Sequence, residues 1–210
     1  MNSRVILVSD DRSSLRSPDT LLWPDAACMR GIHTGEWTAH IFEYAMSFEG
    51  NMTQVRELAA ANGVGVLHPH GALATDPPGL VVCDVDSTVT RTEAIDLLAE
   101  CAGKADEIRG ITARAMAGEL DFTQSLYARV RCLEGLHIGA LEEAWKATVI
   151  TPGTAELVAA AHEVGAAVGL VSGGFTALVD PLAEQIGADF AASNELEIVD
   201  NHLTGRVVGD

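Results

Sequence analysis

The chain has 210 residues, 48% of them hydrophobic, which is enough apolar material for one medium domain or two small ones with a real core. Thirty acids against 13 bases leave a formal net charge of −17, a field that opposes approach to nucleic acid or anionic lipid and excludes both as partners. The same field repels a phosphorylated small molecule, so a phosphate site here needs local positive charge from a metal, a helix N-terminus or a few basic side chains.

In chain order, the N-terminus carries an apolar run of only four residues, Val5 to Val8, too short for a signal peptide. The four cysteines form no CxxC pair, and no apolar run approaches the roughly 18 to 20 residues of a membrane span. A reducing cytoplasm is the expected location. Residues 1–75 read as a small α+β unit. It comprises a strand "RVILVS", a polar stretch, an alternating "TAHIFEYAMSF", a helix "MTQVRELAAAN" closed by Gly63, and a strand "GVGVLH", in a βαβ-like order. His68-Pro69-His70 reads as a loop, for want of a third metal ligand. The segment "ATDPPGL" then supplies the two prolines and glycine of a domain boundary.

From residue 79 the pattern becomes α/β. "LVVCDV" is a continuous apolar run, expected as a strand buried on both faces, and "RTEAIDLLAECAG" is a helix. A helical insertion follows over about 103–150. Beyond it come a helix "TPGTAELVAAAHEVG", a second buried strand "AAVGLVSGG", a helix "FTALVDPLAEQIG" and a third strand "ADFAAS". This order predicts a Rossmann-like parallel sheet with a helical cap, in which ligands sit beyond the carboxyl ends of the strands, where Asp84, Asp86 and Ser172 fall. The closing "NELEIVDNHLTGR" offers two short strand-like pieces around Asp200-Asn201 and reads as a hairpin.

The run "CDVDSTVT" places two carboxylates one residue apart at the exit of that first apolar strand. A strand-end turn capped by Asp and Ser explains the spacing locally. So does a phosphoryl-transfer pair, in which one carboxylate attacks phosphorus while the other protonates the leaving oxygen, with a hard cation relieving their repulsion. Ser172-Gly173-Gly174 ends a buried strand and opens a helix, so its N–H groups favour an anion, although paired glycines also make ordinary turns. Phe122 and Arg129 are seven residues apart and share one helix face, as they would on any amphipathic helix.

Together "DVDSTVTRTEAID", "ITARAMAGELDFTQSLYARV", "LVSGGFT" and "NELEIVDNHLTGRVVGD" resemble, in this order, the phosphoserine phosphatases of the haloacid dehalogenase superfamily, over residues 79–210. The resemblance implies Asp84 as nucleophile and Asp86 as general acid/base, with the Asp84 side chain and the Asp86 carbonyl on Mg²⁺. It implies Glu93 at a substrate ammonium, Arg129 at its carboxylate, Met116 and Phe122 lining the pocket, and Ser172 with the Gly173 N–H on the phosphoryl oxygens. The implied substrate is L-phosphoserine, cleaved to serine and phosphate in the last step of serine synthesis.

The family's third motif, a Lys beside the phosphate, has no counterpart, because Lys104 and Lys146 are the only lysines and neither follows Ser172. Its fourth motif, a GDxxND-type acidic loop, is not reached, since the terminal "RVVGD" with Asp210 follows a hairpin rather than a crossover. The chain therefore reads as truncated and, by itself, weakly active or inactive. The sheet edge at "ADFAAS" is expected to be open to a second copy, as in a homodimer. Two other functions remain open: another small-molecule phosphatase of the same superfamily, or a non-catalytic amino-acid-binding module whose residues 1–75 resemble ACT-type sensing domains.

Overall fold

The structure, a computed structural model, describes residues 3–9, 27–33, 38–44, 52–69 and 71–209. The chain divides into two compact units, Met1–Pro77 and Pro78–Asp210. His70 and Asp210 lie outside the described residues, as do residues 10–26, 34–37 and 45–51 of the first unit.

The first unit contains β1 (Ser3–Ser9), β2 (Ala27–His33), β3 (Thr38–Tyr44), helix α1 (Met52–Ala61) and β4 (Gly65–Leu67). Its sheet has the order β2-β3-β1-β4, and β1 pairs antiparallel with both β3 and β4. The βαβ-like reading holds in split form: β3 and β4 both run antiparallel to β1 and so parallel to each other, with α1 as the crossover between them and β1 paired in the middle. Strand β2 lies within the stretch read as polar, its apolar residues broken by Arg30, Gly31 and a register shift between Cys28 and Arg30.

The second unit runs β5 (Leu80–Cys83), α2 (Ala94–Ala102), α3 (Ala105–Met116), α4 (Phe122–Arg131), α5 (Gly139–Ala147), α6 (Thr154–Glu163), β6 (Ala167–Phe175), α7 (Thr176–Ile186), β7 (Phe190–Val199) and β8 (His202–Val208). Its sheet has the order β5-β6-β7-β8, parallel from β5 to β7 and antiparallel at β8. Glycines in the left-handed region close α2 at Gly103 and α7 at Gly187, which is the usual way to satisfy the last carbonyls of a helix. Asp200 and Asn201, at φ 51° and 60°, form the tight turn between β7 and β8. No described helix is long and apolar enough to cross a membrane.

One expectation about this sheet is overturned. Strand β5 is not buried on both faces, for Leu80 is 52% and Val82 51% exposed. The two exposed residues share one face, and apolar composition alone does not supply a layer to cover it. β8 pairs only with Glu195–Val199 of β7, so on the side away from β6 the Phe190–Ser193 part of "ADFAAS" has no partner strand among the described residues, as expected of an open edge, and β5 forms the opposite edge of the sheet.

One apolar cluster joins the sheet to α6 and α7 through Val158, Val168, Leu170, Val179 and Leu182. The other joins the cap helices to β7 and β8 through Leu98, Ile108, Val130, Leu133, Leu196 and Leu203. Gly169 has no room for a side chain, because a Cβ there would come within 1.9 Å of the Phe190 ring on the neighbouring strand. The aromatic face takes the space above the strand instead.

Candidate active site

The chain leaves β5 extended, at Asp84 (φ −68°, ψ 155°) and Asp86 (φ −64°, ψ 128°), then turns sharply at Ser87, whose φ of 57° is unusual for a residue with a side chain. The Ser87 hydroxyl donates to Glu93 Oε1, so the turn that costs backbone strain also ties Glu93 back toward the aspartates. Thr88 donates from Oγ1 to Asp84 Oδ2 at 3.2 Å. Buried Thr90 donates to the Thr92 carbonyl at 2.8 Å, and its N–H donates to the Val85 carbonyl at 2.9 Å, closing the loop before α2 begins.

Asp86 is held from two sides. The Ala94 N–H, in the first turn of α2, donates to its Oδ1 at 2.8 Å, and the Ser172 hydroxyl from β6 donates to its Oδ2 at 3.1 Å. Burial nevertheless pushes the Asp86 carboxyl above its ordinary range, with the Glu93 and Asp84 charges pushing the same way against those two hydrogen bonds. A carboxyl in that condition is suited to carry a proton and give it up.

Near its C-terminal end β6 carries Ser172-Gly173-Gly174, a bulged turn between the paired residues Val171 and Phe175. Gly174 donates its N–H to Ser172 Oγ at 2.8 Å, and a Cβ on Gly174 would come within 2.7 Å of Asp86 Oδ2 and 3.0 Å of Ser172 Oγ. Only glycine lets the backbone approach the carboxylate this closely. Above the turn, α4 starts from a capping box in which Asp121 Oδ1 accepts from the Gln124 N–H at 2.8 Å and Gln124 Oε1 accepts from the Asp121 N–H at 3.1 Å. That cap fixes the rotation of α4, setting Phe122 against Gly173, where a Cβ would meet the ring at 3.1 Å, and placing half-buried Arg129 two turns on. Arg129 Nε donates to the Ser125 carbonyl at 3.3 Å, and the guanidinium forms no ion pair among the described residues.

These elements enclose a cavity of about 280 Å³ lined by Asp84, Asp86, Glu93, Phe122, Arg129 and Gly173, with Ile95, Leu126, Gly174 and Phe175. Ser172 sits behind the lining, its hydroxyl spent on Asp86 and Gly174. Met116, at the C-terminal end of α3, is 86% exposed and does not line the cavity. Leu126, four residues from Phe122 and three from Arg129, is legible from the same helical spacing, and Gly174 from the glycine pair, whereas Ile95 and Phe175 have no sequence signal apart from apolar character.

Among the described residues no group of three or more His, Cys, Asp or Glu converges on a metal. The donors at the cavity floor are oxygens alone, a set that suits a hard cation retaining its own waters and does not suit zinc. Both lysines are committed elsewhere, Lys104 to Glu107 at 2.9 Å and Lys146 to Glu142 at 2.7 Å, on exposed helix faces.

A family model described as haloacid dehalogenase-like hydrolase matches residues 81–210. A phosphoserine phosphatase of Streptomyces coelicolor is 48% identical over 152 residues, covering 72% of this chain and 37% of its own length. Another, of Streptococcus thermophilus, is 48% identical over 132 residues, or 63% of this chain and 61% of its own. The chain thus spans between about a third and three fifths of these curated relatives. Among solved structures, a probable phosphoserine phosphatase of Vibrio cholerae in unliganded form superposes with a TM-score of 0.74 at 31% identity, covering 99% of this chain and 63% of that one.

Proposed function

The chain belongs to the haloacid dehalogenase-like hydrolase family, and from that premise we propose that the whole protein hydrolyses L-phosphoserine to L-serine and phosphate. The observation that carries this reading is the composition of one cavity. Two carboxylates from the end of β5 face the glycine pair of β6, and Arg129, which forms no ion pair among the described residues, shares that cavity with Glu93. A purely binding module has no use for a carboxyl whose burial favours its protonated form beside an anion-binding turn.

In this mechanism an Asp84 oxygen attacks phosphorus, the bond from phosphorus to the serine oxygen breaks, and Asp86 gives its proton to that oxygen. Serine leaves, and the phosphoryl group remains on Asp84. Asp86, now ionised, takes a proton from water as the water attacks phosphorus, which releases phosphate and restores both carboxyls. The Gly173 N–H orients the phosphoryl oxygens, Ser172 steadies Asp86 and the glycine pair from behind the lining, Arg129 and Glu93 hold the carboxylate and ammonium of the substrate, and Phe122 covers the glycines. Mg²⁺, held by the Asp84 carboxylate and the Asp86 carbonyl, would supply charge that offsets the repulsion between phosphate and the acidic floor.

The test is phosphate release from L-phosphoserine and from a phosphomonoester without the amino-acid head. It is run with and without Mg²⁺, on this chain and on a form extended to the length of its relatives. Mg²⁺-dependent release favouring phosphoserine is expected, and no preference in either form would overturn the assignment. Within the same assay, Arg129→Ala should raise the Michaelis constant for phosphoserine by roughly 10- to 150-fold, the equivalent of a charge-assisted contact of about 1.5 to 3 kcal/mol. The simple phosphomonoester should be almost unaffected, because it has no carboxylate to lose. Equal losses on both would show that Arg129 supports the fold.

A further inference from the structure

The turn at the end of β6 has a geometric problem. Val171 pairs with Ala192 and Phe175 with Asn194, so three residues of β6, Ser172, Gly173 and Gly174, stand opposite the single residue Ser193 of β7. The ladder is interrupted where the site requires accurate placement, and two consecutive glycines have the widest conformational freedom of any pair. Neither carries a side chain that could hold it, yet the two carbonyls leaving the ladder need donors.

Asn194 supplies them. Its side-chain Nδ2 donates to the Gly173 carbonyl at 2.9 Å and to the Gly174 carbonyl at 3.3 Å. A trans peptide is planar, so fixing the Gly173 carbonyl fixes the Gly174 N–H on the opposite side of the same plane. That N–H donates to Ser172 Oγ at 2.8 Å, and the Ser172 hydroxyl donates onward to Asp86 Oδ2 at 3.1 Å. One chain of contacts therefore runs from β7, through a peptide plane and a hydroxyl, to the carboxyl at the cavity floor.

We infer that Asn194 is a positioning residue for phosphoryl transfer: its amide sets the orientation of the Gly173-Gly174 turn and, through it, of Ser172 and Asp86. The inference rests on the reading of the cavity as a phosphomonoester site. Asn194 does not line the cavity, so its influence passes through the turn and does not reach the amino-acid end of the substrate.

The test uses Asn194→Asp, which keeps the shape and removes both donors, and Asn194→Ala, with wild type alongside. Inhibition constants for inorganic phosphate and for L-serine are measured with kcat and KM, and folding is checked by thermal unfolding. Asn194→Asp should lower kcat about 10- to 100-fold and weaken phosphate inhibition in step, the scale of a small misplacement of reacting groups. L-Serine inhibition should stay at the wild-type value, and Asn194→Ala should behave alike. Wild-type phosphate inhibition in a folded Asn194→Asp protein overturns the inference and leaves the reading of the cavity intact. Parallel loss of phosphate and serine binding with a lowered Tm overturns it too, by showing a merely structural role. Absence of phosphate inhibition in the wild type would instead reject the cavity as a phosphate site, and the inference with it.

Discussion

Asp84→Asn should reduce phosphate release by at least about 10³-fold, as removal of a nucleophile does in enzymes that pass through a covalent intermediate. The change is conservative in shape. Thr88 donates to Asp84 Oδ2 at 3.2 Å, and an Asn in either orientation of its amide keeps a polar atom there. The fold around β5 should therefore persist, and thermal unfolding close to wild type is the control. What disappears is an anionic oxygen able to bond to phosphorus, since an amide oxygen is a poor nucleophile. Substrate binding through Arg129 and Glu93 should survive, so the loss falls on kcat. A folded variant retaining turnover close to wild type would remove Asp84 from the mechanism.

Asp86→Asn should slow turnover by on the order of 10² to 10⁴, the usual contribution of a positioned proton donor and acceptor. A defect confined to KM, with normal rate at saturation, would contradict the acid/base role. The same substitution has an opposite consequence for stability. Burial raises the Asp86 pKa above its ordinary 3.8, so the folded chain holds this proton more tightly than the unfolded chain does. The associated stability is complete below the unfolded value and is lost as pH rises through the folded one. Wherever pH ionises it in the folded chain, the half-enclosed carboxylate beside Asp84 and Glu93 works against folding, and an uncharged Asn relieves it. In the presence of chelator, Asp86→Asn should unfold roughly 2 to 5 °C above wild type at pH 7. The difference should shrink as pH falls toward the ordinary 3.8, below which the carboxyl is neutral in both folded and unfolded chains. A variant less stable than wild type at neutral pH would show that the hydrogen bonds from Ala94 and Ser172 outweigh the buried charge.

Much of this site is local in sequence and could be read there. The aspartates follow an apolar run, the glycine pair follows another, and Phe122 and Arg129 are spaced by two helical turns, so each piece announces its own element. The helix caps at Gly103 and Gly187 and the turn at Asp200-Asn201 are equally local. What the sequence left unread depends on neighbours in space. Apolar Leu80 and Val82 signal a strand, but their exposure shows that the face they share has no covering layer, which composition does not reveal. Met116 has the character of a pocket residue, and only the end of α3 decides that it faces outward. Asn194 looks like any polar residue in a strand, because its task is created by a register shift against β6, about 20 residues earlier in the chain. The place of β1 between β3 and β4 in the first unit was hidden in the same way, since a strand, a helix and a strand do not say which strand pairs between them.

The pairing of β5 with β6 also sets an order in time. Cap helices and the β7–β8 hairpin close over short stretches of chain, with Val199 facing His202 across a two-residue turn. The hydrogen bond from Ser172 to Asp86 spans 86 residues, and the parallel pairing beside it, Leu80 with Ala167, spans a similar stretch. Loop-closure entropy must be met before such a contact returns anything, so distant parallel pairing closes late while local elements form early. The Asp84-Asp86 pair and the glycine pair are therefore expected to stay separate through most of folding and to meet late, an order that pulsed hydrogen exchange during refolding would read directly. Helices and hairpin alone make no site; chemistry waits for the longest loop to close.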